Sequence, residues 1–235
     1  IIVDEDADLD EAILETIESA FGYAGQKCSA CSRILVLDSI YDEFKTRLIA
    51  ATESLCIGPA HEPSTKVGPV IDEETQARLL SVLGSLPQGV TSLYQSRVPQ
   101  SGCYVPCAIL EISDPNHMLM QEELFGPIVA LYRAKDFAHA LDVAVGTDYA
   151  LTGAVFSRMP SHLEQAKRDF RVGNLYLNRG CTGALVFRQP FGGFAMSGGG
   201  IKAGGPGYLR EFADARCVTE NTQRRGFAPE SLREC

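Results

Sequence analysis

One thiol in this chain lies where a nucleophile would be presented to a substrate. Residues 25–33 read Gly-Gln-Lys-Cys-Ser-Ala-Cys-Ser-Arg, which places Cys28 between a glycine-bearing loop and an apolar strand. A cation such as Lys27 next to it, in a loop of small residues, favours a thiolate that a carbonyl carbon can reach. The spacing alone also fits the more common alternative, an inert cysteine in a small-residue loop.

A second segment with chemical potential is Gln-Glu-Glu-Leu-Phe-Gly-Pro at residues 121–127. It reads as an acidic turn that carries an aromatic residue and ends at Gly-Pro. The alternative is the end of a helix with Phe125 in the core. Nothing in the spacing alone decides between these two interpretations.

The third segment, residues 189–207, is rich in glycine. Glycine at this density disfavours a helix or a central strand, so the segment is predicted to be a loop that approaches something closely. A flexible linker is the alternative, but linkers rarely interleave Phe191, Phe194 and Met196 with their glycines. The bare backbone N–H groups of such a loop can form an anion-binding concavity.

Together, these three segments resemble the aldehyde dehydrogenases, and they follow in the order found in that family. The Cys-Ser pair preceded by Lys is most similar to the 1-pyrroline-5-carboxylate (glutamate semialdehyde) dehydrogenase branch. The resemblance runs from about Ile1 to Phe212, and it aligns Cys28, not Cys31, with the nucleophile. It implies that the Cys28 thiolate attacks an aldehyde, that hydride passes to NAD, and that the resulting thioester is hydrolysed to glutamate.

The resemblance also implies which residues bind the cofactor and the substrate. Glu123 matches the residue that holds the nicotinamide ribose of NAD, and Phe125 matches the aromatic residue beside the nicotinamide ring. In the glutamate semialdehyde branch, the hydroxyl of Ser29 and the backbone N–H groups of Gly204 and Gly205 would hold the α-carboxylate of the small-molecule aldehyde. The aliphatic part of the substrate would lie against a further aromatic side chain, Phe212.

Other parts of the family's active site are not found in this sequence. No G-x-G-x-x-G motif follows a strand, although the family has a dinucleotide-binding domain ahead of its catalytic domain. The general-base glutamate and the asparagine that helps to hold the oxyanion would also lie upstream of Ile1. The chain is therefore expected to be a catalytic-domain fragment that cannot reduce NAD alone.

Composition and charge exclude several other classes of protein. The 235 residues carry a formal net charge of -9 without clustered Lys and Arg, which argues against nucleic-acid binding. No apolar run approaches the roughly 18 residues of a membrane span, and no signal peptide is recognisable. Eight cysteines at irregular spacing indicate reduced thiols and a cytoplasmic protein. No metal site is predicted, because the four histidines do not fall at ligand spacing beside the Cys28/Cys31 and Cys103/Cys107 pairs.

The elements that must position these residues alternate along the chain. Buried strands and helices of ten to fifteen residues predict an α/β fold whose mainly parallel sheet is flanked by helices. Asp8 and a capping box at residues 39–42 are predicted to begin the first two helices. Strands are predicted at residues 1–3, 34–37, 105–112, 128–132, 152–156 and 174–178. Three more helices are predicted at residues 72–86, 137–145 and 161–170.

Residues 1–212 are predicted to form the catalytic domain and residues 213–235 a C-terminal tail. A strand at residues 216–221 would need a partner chain, so the tail predicts a homo-oligomer. Residues 220–227 resemble the bifunctional proline-utilisation proteins, in which a flavin-dependent proline dehydrogenase precedes the aldehyde dehydrogenase. FAD would then belong to the parent protein, not to this chain.

Three alternatives remain open from the sequence. One is an aldehyde dehydrogenase for another semialdehyde, such as succinate semialdehyde, against which the glycine-rich segment argues. Another is a non-catalytic assembly module whose cysteine loop is vestigial and whose tail serves assembly. The third is a zinc-binding module.

Overall fold

The chain folds around a seven-stranded, mainly parallel sheet flanked by helices, in a computed structural model that describes residues 1–222. The strands of the chain are β1 (Ile2–Val3), β2 (Arg33–Leu37), β3 (Val90–Gln95), β4 (Ala108–Ile112), β5 (Ile128–Ala134), β6 (Tyr149–Ala150), β7 (Thr152–Phe156), β8 (Asn174–Leu177) and β9 (Phe194–Ala195). In the main sheet they follow the order β3-β4-β5-β2-β1-β7-β8, and only β3 runs antiparallel to its neighbour. The short strands β6 and β9 pair separately. The predicted α/β architecture is confirmed.

The helices cover the sheet and begin where capping chemistry allows. They are α1 (Leu9–Phe21), α2 (Tyr41–Glu53), α3 (Glu73–Gly84), α4 (Met118–Gln121), α5 (Phe137–Val145) and α6 (Pro160–Asp169). The Asp8 carboxylate accepts hydrogen bonds from the backbone N–H groups of Asp10 and Glu11, as predicted for an N-cap. Within residues 1–222, no helix has the length and apolar character that a bilayer crossing requires.

The core lies on both faces of the central strands. Residues Ile34–Leu37 of β2 are at most 4% exposed, as expected of a strand covered by helices on each side. Helix α1 buries one face toward this core, with Ala12, Ile17 and Phe21 among its buried residues. The sheet thereby supplies a rigid base for the loops that precede and follow its strands.

One local prediction fails, and one strand is missed. The capping box at Ser39 is wrong: a 3-10 turn over Asp38–Ile40 precedes α2, and Ile40 makes no side-chain cap. The carboxylates of Asp38 and Asp42 instead bind the Arg133 guanidinium of β5 at 2.8 and 2.7 Å. Strand β3 was not predicted, because a half-exposed edge strand lacks the buried apolar run of the central strands.

The described part of the tail, residues 213–222, is exposed and contains no helix or strand. The strand predicted at residues 216–221 requires a partner chain to pair with, so that pairing stays a prediction. The resemblance to proline-utilisation proteins at residues 220–227 falls mainly outside the described residues.

A buried polar cluster ties β1 to β7 at the ends of these two strands. The Asp4 carboxyl group is fully buried, and its Oδ2 accepts a hydrogen bond of 2.6 Å from Ser157 Oγ. The Nδ1 atom of His162 lies 2.6 Å from the same oxygen, and its ring stacks on Phe137 with centroids 4.2 Å apart. Buried polar groups of this kind stabilise a fold only while each is paired.

The Ser157→Ala substitution tests this cluster. It leaves the buried Asp4 carboxyl group without one donor, and we expect a loss of about 1.5–3 kcal/mol in the free energy of unfolding. Urea denaturation of the protein measures the change. The exposed Ser161 provides the control, since Ser161→Ala should stay within about 0.5 kcal/mol. Equal effects of the two substitutions would contradict the role of the cluster.

Candidate active site

The loop that carries Cys28 begins where helix α1 ends and leads into β2. After α1 the chain makes a 3-10 turn over Gly22–Gly25 in which Tyr23 and Ala24 adopt left-handed backbone angles. Such angles are uncommon for residues other than glycine and are frequent at functional sites. Cys28 then lies exposed in the loop, so its thiol is accessible, and Lys27 places its ammonium group 4.7 Å from the centre of the Tyr23 ring.

Gly25 brings this loop into direct backbone contact with the turn at residues 121–127. Its φ is +67°, and a Cβ at this position would lie only 2.2 Å from the carbonyl oxygen of Gly126. No residue other than glycine fits there, because the neighbouring atoms belong to the backbone and cannot move aside. The contact joins the first two sequence segments although about a hundred residues separate them.

The turn at residues 121–127 is held by helix α3, while the side chains of Glu123 and Phe125 are exposed. The Leu124 carbonyl oxygen accepts a hydrogen bond of 2.7 Å from Arg78, and Gly126 packs closely on Leu79 of helix α3. Phe125 has a φ of 55° and is 41% exposed, so it is not a core residue. Glu123 is exposed as well. The interpretation of Phe125 as a buried helix end is therefore wrong.

A cleft of about 380 Å³ lies between the cysteine loop and this turn. Cys28, Glu123 and Phe125 all line it, together with Met196 and Ser197 from the glycine-rich segment. The structure thus brings the predicted nucleophile and the two predicted cofactor-binding residues to one cavity. All three sequence segments contribute to its wall.

Ser29, the predicted carboxylate ligand, is not open to solvent in this structure. Its side chain is 8% exposed, and Ser29 Oγ lies 2.9 Å from Thr182 Oγ1. Thr182 belongs to the loop after β8 and orients the Ser29 hydroxyl. Sequence reasoning gave Thr182 no role, since 153 positions separate the two hydroxyls and no spacing could signal the pair.

The remaining predicted substrate residues lie away from the cleft. Gly204 and Gly205 are partly buried, with Gly204 beside Val186 and Gly205 beside Pro190. Phe212 ends a 3-10 turn and is 72% exposed. Its ring meets the Tyr208 ring edge-on, with the two ring centroids 5.3 Å apart. Neither these three residues nor Ser29 is among the described residues that line the cleft.

Cys31 lines the same cleft as Cys28 but is far less accessible to solvent. It is 5% exposed, and its backbone N–H donates to Ser19 O at 2.9 Å. A hydrogen bond with Cys181 lowers the pKa of the Cys31 thiol and, for the same reason, raises the pKa of Cys181. A thiol with a lowered pKa is still a poor nucleophile when burial limits access to it. Access therefore favours Cys28.

The described residues contain no group of three or more His, Cys, Asp and Glu side chains placed to hold a metal ion. The zinc-binding alternative thus has no geometric support within residues 1–222.

Comparison with known proteins identifies the family. Residues 1–218 match the model of the aldehyde dehydrogenase family. The chain belongs to this family. The resemblance to the aldehyde dehydrogenases seen in the sequence is confirmed. The role of Cys28 as the nucleophile stays a prediction.

Two similar curated proteins carry the name of one branch of the aldehyde dehydrogenases. The chain is 45% identical over 221 residues to the 1-pyrroline-5-carboxylate dehydrogenase of Geobacillus kaustophilus, and 44% identical to that of Bacillus subtilis. Each match covers 94% of this chain and 43% of the relative. The chain therefore spans less than half the length of these relatives.

Several solved structures are similar to this chain in sequence and in fold. A proline utilization A protein from Bdellovibrio bacteriovorus is 50% identical with a TM-score of 0.91, over 97% of this chain and 24% of that one. The 1-pyrroline-5-carboxylate dehydrogenase from Thermus, solved with bound NAD, is 43% identical with a TM-score of 0.86, over 90% of this chain and 41% of that one.

Limited alkylation of the native full-length protein with iodoacetamide tests the assignment of the nucleophile. We expect Cys28 to be modified first, and more rapidly than the exposed Cys56, as peptide mapping would show. Cys107 should remain unmodified, because burial raises the pKa of its thiol to about 12. A rate at Cys28 no higher than that at Cys56 would favour a vestigial cysteine.

Proposed function

We propose that this chain is the catalytic part of an NAD-dependent L-glutamate γ-semialdehyde (1-pyrroline-5-carboxylate) dehydrogenase that acts in proline degradation. The observation that carries the proposal is the accessible Cys28 thiol in one cleft with Glu123 and Phe125. Support for the substrate comes from the 45% identity to enzymes named for 1-pyrroline-5-carboxylate.

Cys28 acts as the nucleophile in this proposal. Its thiolate attacks the aldehyde carbon, a carbon–sulfur bond forms, and the carbonyl electron pair moves to the oxygen. The backbone N–H of Cys28 has no acceptor among the described residues, so it is free to donate to that oxyanion. In the family an asparagine upstream of Ile1 completes this pair of donors.

Glu123 and Phe125 would hold the nicotinamide end of NAD. An exposed carboxylate on the cleft wall can accept hydrogen bonds from both ribose hydroxyls, and an exposed ring beside it offers a flat apolar surface. When bound, NAD accepts the hydride that leaves the substrate carbon. The rest of the dinucleotide would lie on an N-terminal domain outside this chain.

The substrate's α-carboxylate would be held by Ser29, Gly204 and Gly205, with Phe212 along its aliphatic part. Thr182 supports this assignment because it orients the Ser29 hydroxyl at 2.9 Å. Since Ser29, Phe212 and the two glycines all lie outside the cleft wall in this structure, the anchor would form as substrate binds, with the backbone N–H groups of the glycines as donors.

Assembly is part of the proposal. Val186, Phe187 and Leu209 are 71%, 77% and 80% exposed, which is unusual for large apolar side chains of a free surface. An N-terminal domain outside this chain and a second subunit of a homo-oligomer are the partners that would cover them. FAD enters only if the parent protein also carries a proline dehydrogenase.

Activity of the full-length protein tests the proposed reaction. We expect NAD reduction with glutamate semialdehyde to exceed that with succinate semialdehyde by about tenfold or more in kcat/KM. Cys28→Ala should lower kcat by at least about a thousandfold, since no other group replaces the thiolate. Cys56→Ala is the matched control and should keep full activity. An active Cys28→Ala variant would refute the assignment of the nucleophile.

The isolated chain of residues 1–235 provides a second test. We expect no NADH above background from glutamate semialdehyde, because the general base and most of the NAD-binding surface would lie upstream of Ile1. Absorbance at the NADH band measures this, with the full-length protein as the positive control. Robust turnover by the isolated chain would show that its own residues complete the site.

A further inference from the structure

The ammonium group of Lys202 donates hydrogen bonds to three acceptors within the chain. It donates to Gly173 O at 2.5 Å, to Gly192 O at 2.6 Å and to Asn174 Oδ1 at 3.2 Å. An ammonium group has three N–H donors, and here all three are occupied. Burial lowers the pKa of Lys202. The acceptors belong to two separate stretches, the entry to strand β8 and the glycine-rich segment.

Asn174, the first residue of β8, reinforces the same junction. Its Nδ2 donates to Pro190 O at 3.1 Å, and its Oδ1 accepts from the Gly192 backbone N–H at 3.4 Å. The backbones touch beside it, since a Cβ at Gly173 would lie 1.9 Å from Gly192 O. We call Asn174 and Lys202 the clamp.

The clamp is continuous with the predicted carboxylate anchor. Phe191 and Ala203 pair through two backbone hydrogen bonds of 2.9 and 2.8 Å, so the two limbs of the glycine-rich segment lie side by side. Ala203 directly follows Lys202 and directly precedes Gly204. The position of Gly204 relative to the sheet therefore depends on where the clamp holds Gly192.

We propose that Lys202, acting with Asn174, is a positioning residue that sets the glycine-rich segment for binding the substrate's α-carboxylate, and thereby determines specificity for an amino-acid semialdehyde. This inference rests on the proposed function. Lys202 acts through the backbone of Gly204 and Gly205 and does not itself bind the substrate, because no N–H donor of its ammonium group is free. Nothing in the clamp touches Cys28, so the reactivity of the thiol is independent of it.

The test uses the full-length protein with Lys202→Met, Asn174→Ala and the double variant. We expect KM for glutamate semialdehyde and Ki for L-glutamate, which carries the same α-carboxylate, to rise together by about tenfold or more. The kcat value and the rate of Cys28 alkylation should change by less than about twofold. The double variant should lose little more than Lys202→Met, because residues of one network are not additive.

Two further variants keep the test decisive. Lys135 is exposed and its ammonium group makes no ion pair within the described residues, so Lys135→Met is the matched control for lost charge. Lys202→Gln retains a polar side chain of similar length and covers the case in which Lys202→Met fails to fold.

The outcomes separate the inference from the function on which it rests. The positioning role would be overturned if folded Lys202 variants kept the KM for glutamate semialdehyde and the Ki for L-glutamate unchanged. It would also be overturned if kcat and the rate of Cys28 alkylation fell equally while KM stayed constant. A wild-type protein that neither oxidises glutamate semialdehyde nor binds L-glutamate would instead refute the proposed function.

Discussion

The active site depends on one contact between two backbones, that of Gly25 with Gly126. A side chain at position 25 would overlap the Gly126 carbonyl group, and the positive φ of Gly25 is itself a conformation that other residues avoid. Through this contact the loop of Cys28 and the turn of Glu123 and Phe125 both line one cleft. A bulkier residue at position 25 would separate the nucleophile from the residues proposed to bind its cofactor.

The order of strands in the sheet places these two loops next to each other. Cys28 lies in the loop that leads into β2, and Gly126 lies in the turn that leads into β5. These two strands are parallel neighbours, with Arg33 in register with Ala130. The loops that enter adjacent parallel strands emerge at the same edge of a sheet, so they must lie side by side. The glycine-rich segment reaches this edge separately, where Ser197 Oγ accepts from the Ala150 backbone N–H.

Glycine-rich sequence is often equated with flexibility, and here the tertiary contacts decide otherwise. The segment is irregular, as predicted, but Asn174 and Lys202 bind its backbone at several points and the Phe191–Ala203 pair joins its limbs. Its glycines serve close approach between backbones. The chain spans less than half of its relatives, and the apolar side chains exposed around this segment mark where the rest of the assembly is proposed to lie.

The sequence by itself determined the family, the α/β class and most helices and strands, and it singled out Cys28 as the candidate nucleophile. These follow from local information: periodic burial, the Asp8 cap and motifs read in order along the chain. Only the tertiary structure decided that Phe125 is exposed, that Thr182 holds Ser29, that Cys31 is buried beside Cys181 and that Lys202 binds the entry to β8. Each of these contacts joins residues far apart in the chain, and a pairing across such a separation leaves no pattern in the neighbouring residues. The edge strand β3 was not predicted for a related reason. It is a strand because it pairs with β4, and its own sequence has no apolar pattern that would indicate one.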